Sequence, residues 1–372
     1  MINLKTTINI ITNLLAGLPR LVTEIIFYLF IGTTFIFSQP INDYPGKTWD
    51  KVSKPEDFGY SSEKLTKAKE FSQTLKTSAV TIIVNGMVLD EWGDVDSLYY
   101  THSMRKSVLS AMYGKYVENG TIDLNKTLAE LGIDDEPPLS EQEKTATIRD
   151  CLKARSGINH TAEAENDAMH KLKPPKDMFK PGQFWLYNNW DFNVLGTIFQ
   201  NLTGKKIFKA MIEDIADPIQ MENFTFENDA SYKTGRSIHE AYMFVISAHD
   251  LARFGLLMLR NGKWNDKQVI PENWVKESTT YFSDATIYKG DGYGYMWWVA
   301  KDNNKFPHFP NVKLKEGTYS ARGAGGHFLV VIPEYDMVFV HRVNTFIEGN
   351  SVSFQDFGNL LSMVLDAKID EE

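Results

Sequence analysis

The sequence predicts an α+β fold in which helices flank an antiparallel sheet and an all-helical region is inserted within it. Runs rich in β-branched and aromatic residues, which favour strands, occur at 79–91 and return after residue 291. Between them, residues 121–240 show almost no strand pattern. Strands at both ends of a chain imply one sheet assembled from its N- and C-terminal parts. We therefore expect a discontinuous α/β domain, 56–120 with 241–368, and a helical insert over 121–240.

Composition and charge exclude several classes of protein. The 372 residues are 43% hydrophobic, enough to bury a large core in one domain or in two closely joined domains. The net charge is −9, and no run of Lys or Arg could neutralise a phosphate backbone, so no nucleic-acid partner is expected. The single cysteine, Cys151, excludes an intrachain disulfide, and its amphipathic surroundings favour a buried structural thiol.

The N-terminal segment differs in kind from the rest of the chain. Residues 25–37 form an uncharged apolar run. Lys5 and Arg20 lie before it in the chain, and Pro40 follows it. This pattern is similar to the apolar region of a secretory signal, although it is short for a membrane span. We expect residues 1–40 to be a signal or a membrane anchor, with anchoring through 22–38, and the remainder to be extracytoplasmic, either periplasmic or secreted. A buried N-terminal helix is the alternative.

Local patterns place the first elements of the fold. Residues 59–75 predict a helix capped by Ser61 or Ser62. Two β-branched runs follow, and Asn85 and Gly86 join them. This dipeptide tolerates positive φ at both turn positions and therefore predicts a hairpin.

Periodicity and capping residues define the later elements. Residues 192–204 show helical spacing that ends at Gly204, and Ser247 should cap another helix with Asp250 at the capping-box position. Three segments then predict strands: "GYGYMWWVA", "GGHFLVVIP" and "MVFVHRVN". The last amphipathic helix carries Phe357, Leu360, Leu361 and Val364.

Ser103 and Lys106 lie three positions apart where a helix should begin, and that helix should end near residues 119–120. Two side chains at this spacing share one helix face, so Lys106 can reach the Ser103 hydroxyl. A serine hydroxyl becomes a strong nucleophile when a neighbouring base takes its proton, and a helix N-terminus adds free N–H groups and positive potential. An ordinary helix is the alternative, because Ser-x-x-Lys is a low-specificity pattern and 61–64 is a second copy.

A Tyr-x-Asn sequence, Tyr187 to Asn189, stands just before another predicted helix. Polar side chains at such a position can project into a cleft. Tyr187 could act as a general base toward Ser103 if a nearby ammonium stabilised its phenolate, since a free phenol has a pKa of about 10. Without a partner motif, Asn189 would be a helix cap and Tyr187 a half-buried wall residue.

A glycine-rich segment, "SARGAGGHFLVVIP" over 320–333, precedes one of the late strands. Glycines let the backbone approach a substrate closely and leave unpaired N–H groups as donors to an oxyanion. A bulge or a turn is the alternative.

At these three places the chain resembles the serine hydrolases that share the fold of class C β-lactamases, penicillin-binding DD-peptidases, family VIII esterases and nylon-oligomer (aminohexanoate-dimer) hydrolases. The ordered motifs of that family match 103–106, 187–189 and 321–323. The resemblance extends over about residues 56–367 and implies a β-lactamase/transpeptidase-like fold. The glycine-rich segment is closest to the nylon-oligomer hydrolase and esterase branch.

The resemblance also implies roles for single residues. Ser103 would be the acylated nucleophile, with Lys106 and Tyr187 as its acid/base pair and no cofactor. The N–H groups of Ser103 and Ala324 would form the oxyanion hole. The residues expected to bind substrate are Asn189, Trp298, Gly323, Gly325, Gly326 and His327.

One departure from the family bears on the substrate. Where β-lactamases and DD-peptidases carry a Lys or His that holds the substrate carboxylate, this chain has Ala321. Losing such a charge-assisted contact, typically ~1.5 to 3 kcal/mol, disfavours anionic substrates. Arg322 should point to the opposite strand face, whereas His327 could partly replace the cation. We expect a small-molecule ester or short amide substrate. A DD-peptidase or β-lactamase, and a non-catalytic binding module on the same fold, are the alternatives.

Other catalytic arrangements have less support in the sequence. No G-x-S-x-G occurs, which disfavours an α/β-hydrolase triad. His102 adjoins Ser103, but adjacency does not make a triad, and a surface or sheet-side histidine is favoured. The eight histidines show no metal-binding spacing, so no metal is expected. The aromatic cluster around Trp298 is expected to be core and cleft wall, with one face open to an acyl group as the alternative.

Overall fold

The computed structural model describes residues 44–225, 230–288, 290–302 and 306–369. The chain divides into two units, 1–41 and 42–372, and all described residues belong to the second. The predicted leader over 1–40 therefore lies outside the described residues. Within the described ranges, no helix combines the length and the apolar character needed to span a membrane.

Helices and strands alternate irregularly along the chain. The helices of the described residues are α1 (Ser62–Gln73), α2 (Met104–Glu118), α3 (Ile148–Leu152), α4 (Asp167–Lys171), α5 (Asn189–Thr203), α6 (Ile207–Met211), α7 (Ala248–Leu259), α8 (Glu272–Ser278) and α9 (Phe354–Leu365). Their strands are β1 (Ala79–Val84), β2 (Met87–Gly93), β3 (Tyr99–Tyr100), β4 (Ala230–Lys233), β5 (Ala241–Ile246), β6 (Lys263–Trp264), β7 (Lys267–Gln268), β8 (Ser283–Asp284), β9 (Gly292–Tyr293), β10 (Trp298–Val299), β11 (Tyr319–Gly323), β12 (His327–Ile332) and β13 (Met337–Arg342).

One antiparallel sheet joins the two ends of the chain, as predicted. Its strand order is β2-β1-β13-β12-β11-β10-β9-β8. β1 pairs with β13 from Ala79 opposite Arg342 to Val84 opposite Met337. The β1–β2 hairpin turns at Asn85 and Gly86, whose φ angles are 50° and 77°. The predicted α+β fold with an antiparallel sheet is therefore confirmed.

Both faces of this sheet are covered by helices. On β12, Phe328 and Val330 belong to an apolar cluster with α1 and α9, while Leu329 and Val331 belong to a second cluster with α2 and α7. Alternate side chains of a strand point to opposite faces. The strand is therefore buried on both sides, which explains its continuous apolar run.

Helix caps follow the sequence in most places. The Ser61 side chain accepts a hydrogen bond from the Lys64 N–H, so this second Ser-x-x-Lys is a cap, as predicted. Ser247 caps α7 in the same way. Asp250 does not complete the predicted capping box, because its carboxylate accepts hydrogen bonds from the N–H groups of Glu222 and Asn223, at 2.7 and 2.9 Å.

Two sequence predictions about strands are wrong in detail. The stretch "GYGYMWWVA" is not one strand but the paired strands β9 and β10, because Met296 adopts a φ of 59° between them. The region 121–240 is not free of strands, since β4 pairs with β5. Cys151, in contrast, is buried as predicted, and burial raises the pKa of its thiol well above its ordinary value.

Candidate active site

The N-terminus of α2 presents Ser103 at the edge of the buried core. Ser103 directly precedes the first residue of α2 and is half-buried, whereas Lys106, one turn further on, is buried. The Lys106 Nζ lies 3.1 Å from the Ser103 Oγ. The i, i+3 spacing therefore places the amine and the hydroxyl in hydrogen-bond contact.

The loop before α5 and the first residue of that helix bring two more groups to the same amine. The Tyr187 hydroxyl and the Asn189 Oδ1 each lie 2.6 Å from the Lys106 Nζ. The Nζ also lies 4.0 Å from the centre of the Tyr187 ring and 4.4 Å from that of Phe192. The structure thus joins residues that are 81 positions apart in the chain around one nitrogen.

Electrostatics favour an uncharged amine at Lys106. Burial, and secondarily the neighbouring Arg105 guanidinium, lower the pKa of Lys106 well below its usual value. Lys106 forms no ion pair with a carboxylate of the described residues. The lowered pKa favours the free amine, which is the form that can accept a proton.

Tyr187 is held in its protonated form. Burial raises the pKa of Tyr187 to about 12, against smaller lowering effects of the Ser103 hydroxyl and the Arg105 charge. An ammonium next to the phenol, the predicted condition for a phenolate base, is disfavoured because the pKa of Lys106 is lowered. The two shifts together favour a neutral amine next to a protonated phenol.

Asn189 faces the protein rather than a cleft. Its side chain is buried, its Oδ1 contacts Lys106, and its Nδ2 donates to the carbonyls of Ala164 at 2.6 Å and Glu163 at 3.3 Å. Its predicted role in substrate binding stays a prediction, since both ends of the side-chain amide contact protein in this conformation. Its contacts orient the Lys106 amine. The helix cap is its neighbour Asn188, whose side chain accepts from the Trp190 N–H.

The turn between β11 and β12 carries the second predicted oxyanion donor. Gly323 packs against the segment before the nucleophile, because a Cβ placed on it would lie 2.6 Å from the Thr101 carbonyl oxygen. Ala324 follows and is exposed. Neither the Ser103 N–H nor the Ala324 N–H donates a hydrogen bond to any residue that the structure describes. Two free donors therefore flank the contact between these segments.

The remaining glycines of this turn pack against protein. A Cβ on Gly325 would lie 2.6 Å from Thr345 Cγ2, and a Cβ on Gly326 would lie 2.7 Å from the Val352 carbonyl oxygen. Their φ angles are 83° and 97°, in the left-handed region that favours glycine. The space on the Cα side of these glycines and of Gly323 is filled by the chain itself, and their predicted backbone contacts with a substrate stay a prediction.

His327 is also removed from solvent. Its exposed fraction is 0%, and burial lowers its pKa well below the ordinary value of 6.5. A buried neutral imidazole can neither contact a substrate nor supply a positive charge. In this conformation His327 is presented neither to a substrate nor as a cation, and its predicted substrate binding stays a prediction.

Arg322 points away from Ala321, as predicted. Ala321 belongs to the apolar cluster on the α2 side of the sheet. The Arg322 guanidinium lies over the rings of Phe309 and Trp298, at 4.6 and 4.7 Å, and donates to the His308 carbonyl. It is thus engaged with the protein rather than presented as a free cation.

Trp298 forms part of an aromatic wall beside Tyr187. The two ring centres are 5.5 Å apart, and Trp298 retains partial exposure. Tyr288 is a further wall residue, which no sequence motif predicts. Its ring centre lies 5.9 Å from that of Tyr187, and its hydroxyl donates to the Tyr187 carbonyl at 3.4 Å. Tyr288 comes from a short 3₁₀ turn that no local pattern marks, so only the fold reveals it.

Metal ligation has no support in the described part of the chain, where no group of three or more His, Cys, Asp or Glu side chains could hold an ion. The half-buried His102 contacts Thr345, 2.8 Å from Nε2 to Oγ1, rather than the Ser103 hydroxyl.

The reactive groups at the site are thus a serine hydroxyl, a buried amine, a phenol and two free N–H donors. Those groups, on a sheet with helices on both faces, are typical of a serine hydrolase.

Comparisons with known proteins agree with this class. Residues 63–356 match the family model described as Beta-lactamase. An uncharacterised protein of Alkalihalophilus pseudofirmus is 22% identical over 309 residues, covering 75% of this chain and 87% of that protein. Protein flp of Staphylococcus aureus is 25% identical over 179 residues, but these cover only 42% of this chain and 36% of flp.

Solved structures show the same fold. A putative 6-aminohexanoate-dimer hydrolase from Bacillus anthracis has a TM-score of 0.61 at 21% identity and covers 87% of each chain. A putative beta-lactamase from Bacteroides dorei has a TM-score of 0.62 at 16% identity and covers 84% of this chain and 100% of its own. The chain belongs to the beta-lactamase family of serine hydrolases.

Proposed function

We propose that the protein hydrolyses uncharged ester or short amide bonds through an acyl-enzyme on Ser103. The observation that carries the proposal is the position of the Lys106 amine, in contact with both the Ser103 hydroxyl and the Tyr187 phenol. A general base must lie within hydrogen-bond reach of the proton that it removes, and the 3.1 Å separation meets this requirement.

In the first half of the reaction, Lys106 takes the Ser103 proton as Oγ bonds to the substrate carbonyl carbon. The carbonyl π electrons move to oxygen, and the N–H groups of Ser103 and Ala324 stabilise the resulting oxyanion. As the oxyanion collapses, the bond to the leaving group breaks. The leaving group receives the Tyr187 proton, and Tyr187 regains one from the Lys106 ammonium, 2.6 Å away.

The second half reverses these proton transfers with water. Water attacks the acyl carbon, and its proton passes to Lys106 directly or through the Tyr187 hydroxyl. Collapse of the second oxyanion breaks the Ser103 ester and returns the proton to Oγ. Asn189 keeps the amine aimed between the two hydroxyls throughout, because it contacts Lys106 from the buried side.

The side chains around the site favour an uncharged substrate. Ala321 offers no charge, His327 is buried and neutral, and the Arg322 guanidinium is stacked on Trp298. A substrate carboxylate would find none of these groups available as a charge-assisted donor, a contact typically contributing ~1.5 to 3 kcal/mol. The half-exposed Trp298 next to Tyr187 instead offers an apolar surface.

Two other functions would give different results in a substrate assay. A DD-peptidase or β-lactamase would use the same acyl-enzyme with an anionic substrate. A non-catalytic binding module would need no buried amine in contact with a serine, so the geometry at Lys106 disfavours it. The name of the Bacillus anthracis structure, a putative 6-aminohexanoate-dimer hydrolase, suggests a short linear amide as a further substrate to test.

To test this function, short-chain p-nitrophenyl esters, a short amide and nitrocefin are each supplied as substrates to the purified protein. Ester turnover without nitrocefin turnover is the expected result. Nitrocefin turnover without ester turnover would favour the β-lactamase function, and no turnover of any substrate would favour a binding module. Intact-mass detection of a fluorophosphonate adduct, lost in Ser103→Ala, tests the nucleophile independently of substrate choice.

We also propose that the enzyme acts outside the cytoplasm, with residues 22–38 as a signal or membrane anchor. The support is the apolar run in the sequence. Cell fractionation with N-terminal sequencing of the mature protein tests this proposal. A cytoplasmic product that retains Met1 would contradict it.

A further inference from the structure

One threonine contacts the neighbours of both candidate oxyanion donors. Thr345 follows β13, and its Oγ1 lies 2.8 Å from Nε2 of His102, the residue before Ser103. Its methyl group packs on Gly325, the residue after Ala324, where a Cβ would lie 2.6 Å from Thr345 Cγ2. A single side chain therefore spans the two backbone segments that carry the free N–H groups.

The backbone of His102 needs such support. Its φ is 46°, in the left-handed region that few non-glycine residues adopt and that persists only where the surroundings hold it. The contact with Thr345 is the one hydrogen bond that the His102 ring makes with described residues. This backbone conformation sets the direction of the chain into Ser103.

A second imidazole strengthens the arrangement. The His327 Nε2 lies 3.4 Å from the same Thr345 Oγ1, and the two imidazole rings are 5.1 Å apart. Burial lowers the pKa of His102 to about 4 and that of His327 well below its ordinary value. Both rings are therefore neutral at neutral pH, and the threonine hydroxyl can donate to one and accept from the other without any charge next to the oxyanion.

We propose that Thr345 and His102 are positioning residues that fix the distance and direction of the Ser103 and Ala324 N–H groups toward the oxyanion. This inference rests on the proposed acyl-enzyme function. Oxyanion donors act at 2.7–3.1 Å, and a displacement of about 1 Å can cost on the order of 100-fold in rate. Neither side chain contacts the reacting atoms. Both act through the backbone of the following or preceding residue.

The test compares Thr345→Val, which removes the hydroxyl and keeps the shape, with Thr345→Ser, which keeps the hydroxyl. Thr197→Val is the matched control, because Thr197 Oγ1 contacts His239 Nδ1 at 3.0 Å in the helical insert, away from both donors. The measurements are kcat and KM for p-nitrophenyl acetate, Tm, and the dissociation constant of phenylboronic acid. This compound forms a tetrahedral adduct whose oxygen occupies an oxyanion hole.

We expect Thr345→Val to lower kcat by about 10- to 100-fold with KM nearly unchanged. Boronate affinity should fall by a similar factor. Thr345→Ser keeps the hydroxyl contact with His102 but loses the methyl contact with Gly325, so it should recover part of both, and Thr197→Val should match the wild type. Thr345→Val with kcat and boronate affinity within about two-fold of the wild type would overturn the inference, even if its Tm were lower.

A second variant covers the case in which Thr345→Val does not fold. His102→Asn tolerates the left-handed backbone but is too short to reach the Thr345 hydroxyl, and the same losses are expected. Wild-type rates in this variant would also overturn the inference. A wild-type protein that forms no covalent adduct on Ser103 would instead refute the proposed function, a result that the adduct measurement separates from the effects of the variants.

Discussion

Replacing Tyr187 with Phe removes one oxygen and leaves the ring in place. That oxygen lies 2.6 Å from the Lys106 Nζ, and it is the phenol that we assign as proton donor to the leaving group. Positioned acid–base groups contribute about 10²- to 10⁴-fold to rate. At 1.36 kcal/mol per factor of ten, the expected rise in the acylation barrier is about 2.7 to 5.4 kcal/mol.

The cost of the same change to folding should be much smaller. The Phe ring keeps the contacts with Phe192 and Trp298, whose ring centres lie 5.0 and 5.5 Å from that of Tyr187. Lys106 keeps its contacts with Ser103 and Asn189. The loss is therefore one hydrogen bond between uncharged groups, with a net value of about 1 kcal/mol.

Tyr113→Phe is a matched control for this variant. Tyr113 lies on α2, is fully buried, and its hydroxyl donates to the Leu195 carbonyl, also at 2.6 Å. Single-turnover acylation with p-nitrophenyl acetate and denaturant unfolding should be measured for both variants. Tyr187→Phe should lose rate and Tyr113→Phe should lose only stability. Equal loss of activity in the two variants, or a Tyr187→Phe rate within about three-fold of the wild type, would refute the assignment.

Three further predictions concern the nucleophile Ser103, the Lys106 amine and the packing of α7 on the sheet. Ser103→Ala should abolish ester turnover and fluorophosphonate labelling, with Tm changed little because Ser103 is half-buried at the start of α2; retained turnover would place the nucleophile elsewhere. The kcat/KM for an uncharged ester should rise with pH through the depressed Lys106 pKa, because only the free amine accepts a proton. It should not fall again until the pH approaches the Tyr187 pKa of about 12. Activity that appears only near pH 10.5 would contradict a neutral amine. Gly255→Ala should lower the free energy of unfolding by about 1 to 2 kcal/mol with kcat unchanged. The new Cβ would lie 2.5 Å from Val338 Cγ1, and this clash outweighs the higher helix propensity of alanine. An unchanged free energy of unfolding would show that the contact between α7 and the sheet relaxes.

Features encoded in a few adjacent residues were predicted well from the sequence. The hairpin at Asn85 and Gly86 follows from the conformations that these two residues tolerate, and the Ser61 cap follows from one side chain and one N–H group. The meeting of Ser103 with Lys106 follows from helix geometry alone. Tyr187 joins them only through the fold, so its placement depended on the family resemblance.

Features that depend on packing from distant segments were not predictable in this way. The sequence shows that glycines precede β12, but not that Thr345 and Val352 fill the space beside Gly325 and Gly326. His327 is polar and follows a glycine-rich segment, so the sequence suggests a residue that lines a cleft. It is buried instead, because β12 is covered on both faces. The protonation of Tyr187 likewise depends on burial, which local sequence does not fix.

The buried amine of Lys106 has a consequence for the fold as a whole. In the unfolded chain this lysine binds a proton up to about pH 10.4, whereas burial lowers its pKa well below that value in the folded chain, so the folded state is disfavoured increasingly as the pH falls from about 10.4 through the folded pKa. No carboxylate of the described residues offsets this penalty. An apolar residue of similar length would suit the core better and would have no reactivity. At this position the chain has less stability than it could have, and retains a reactive centre in exchange.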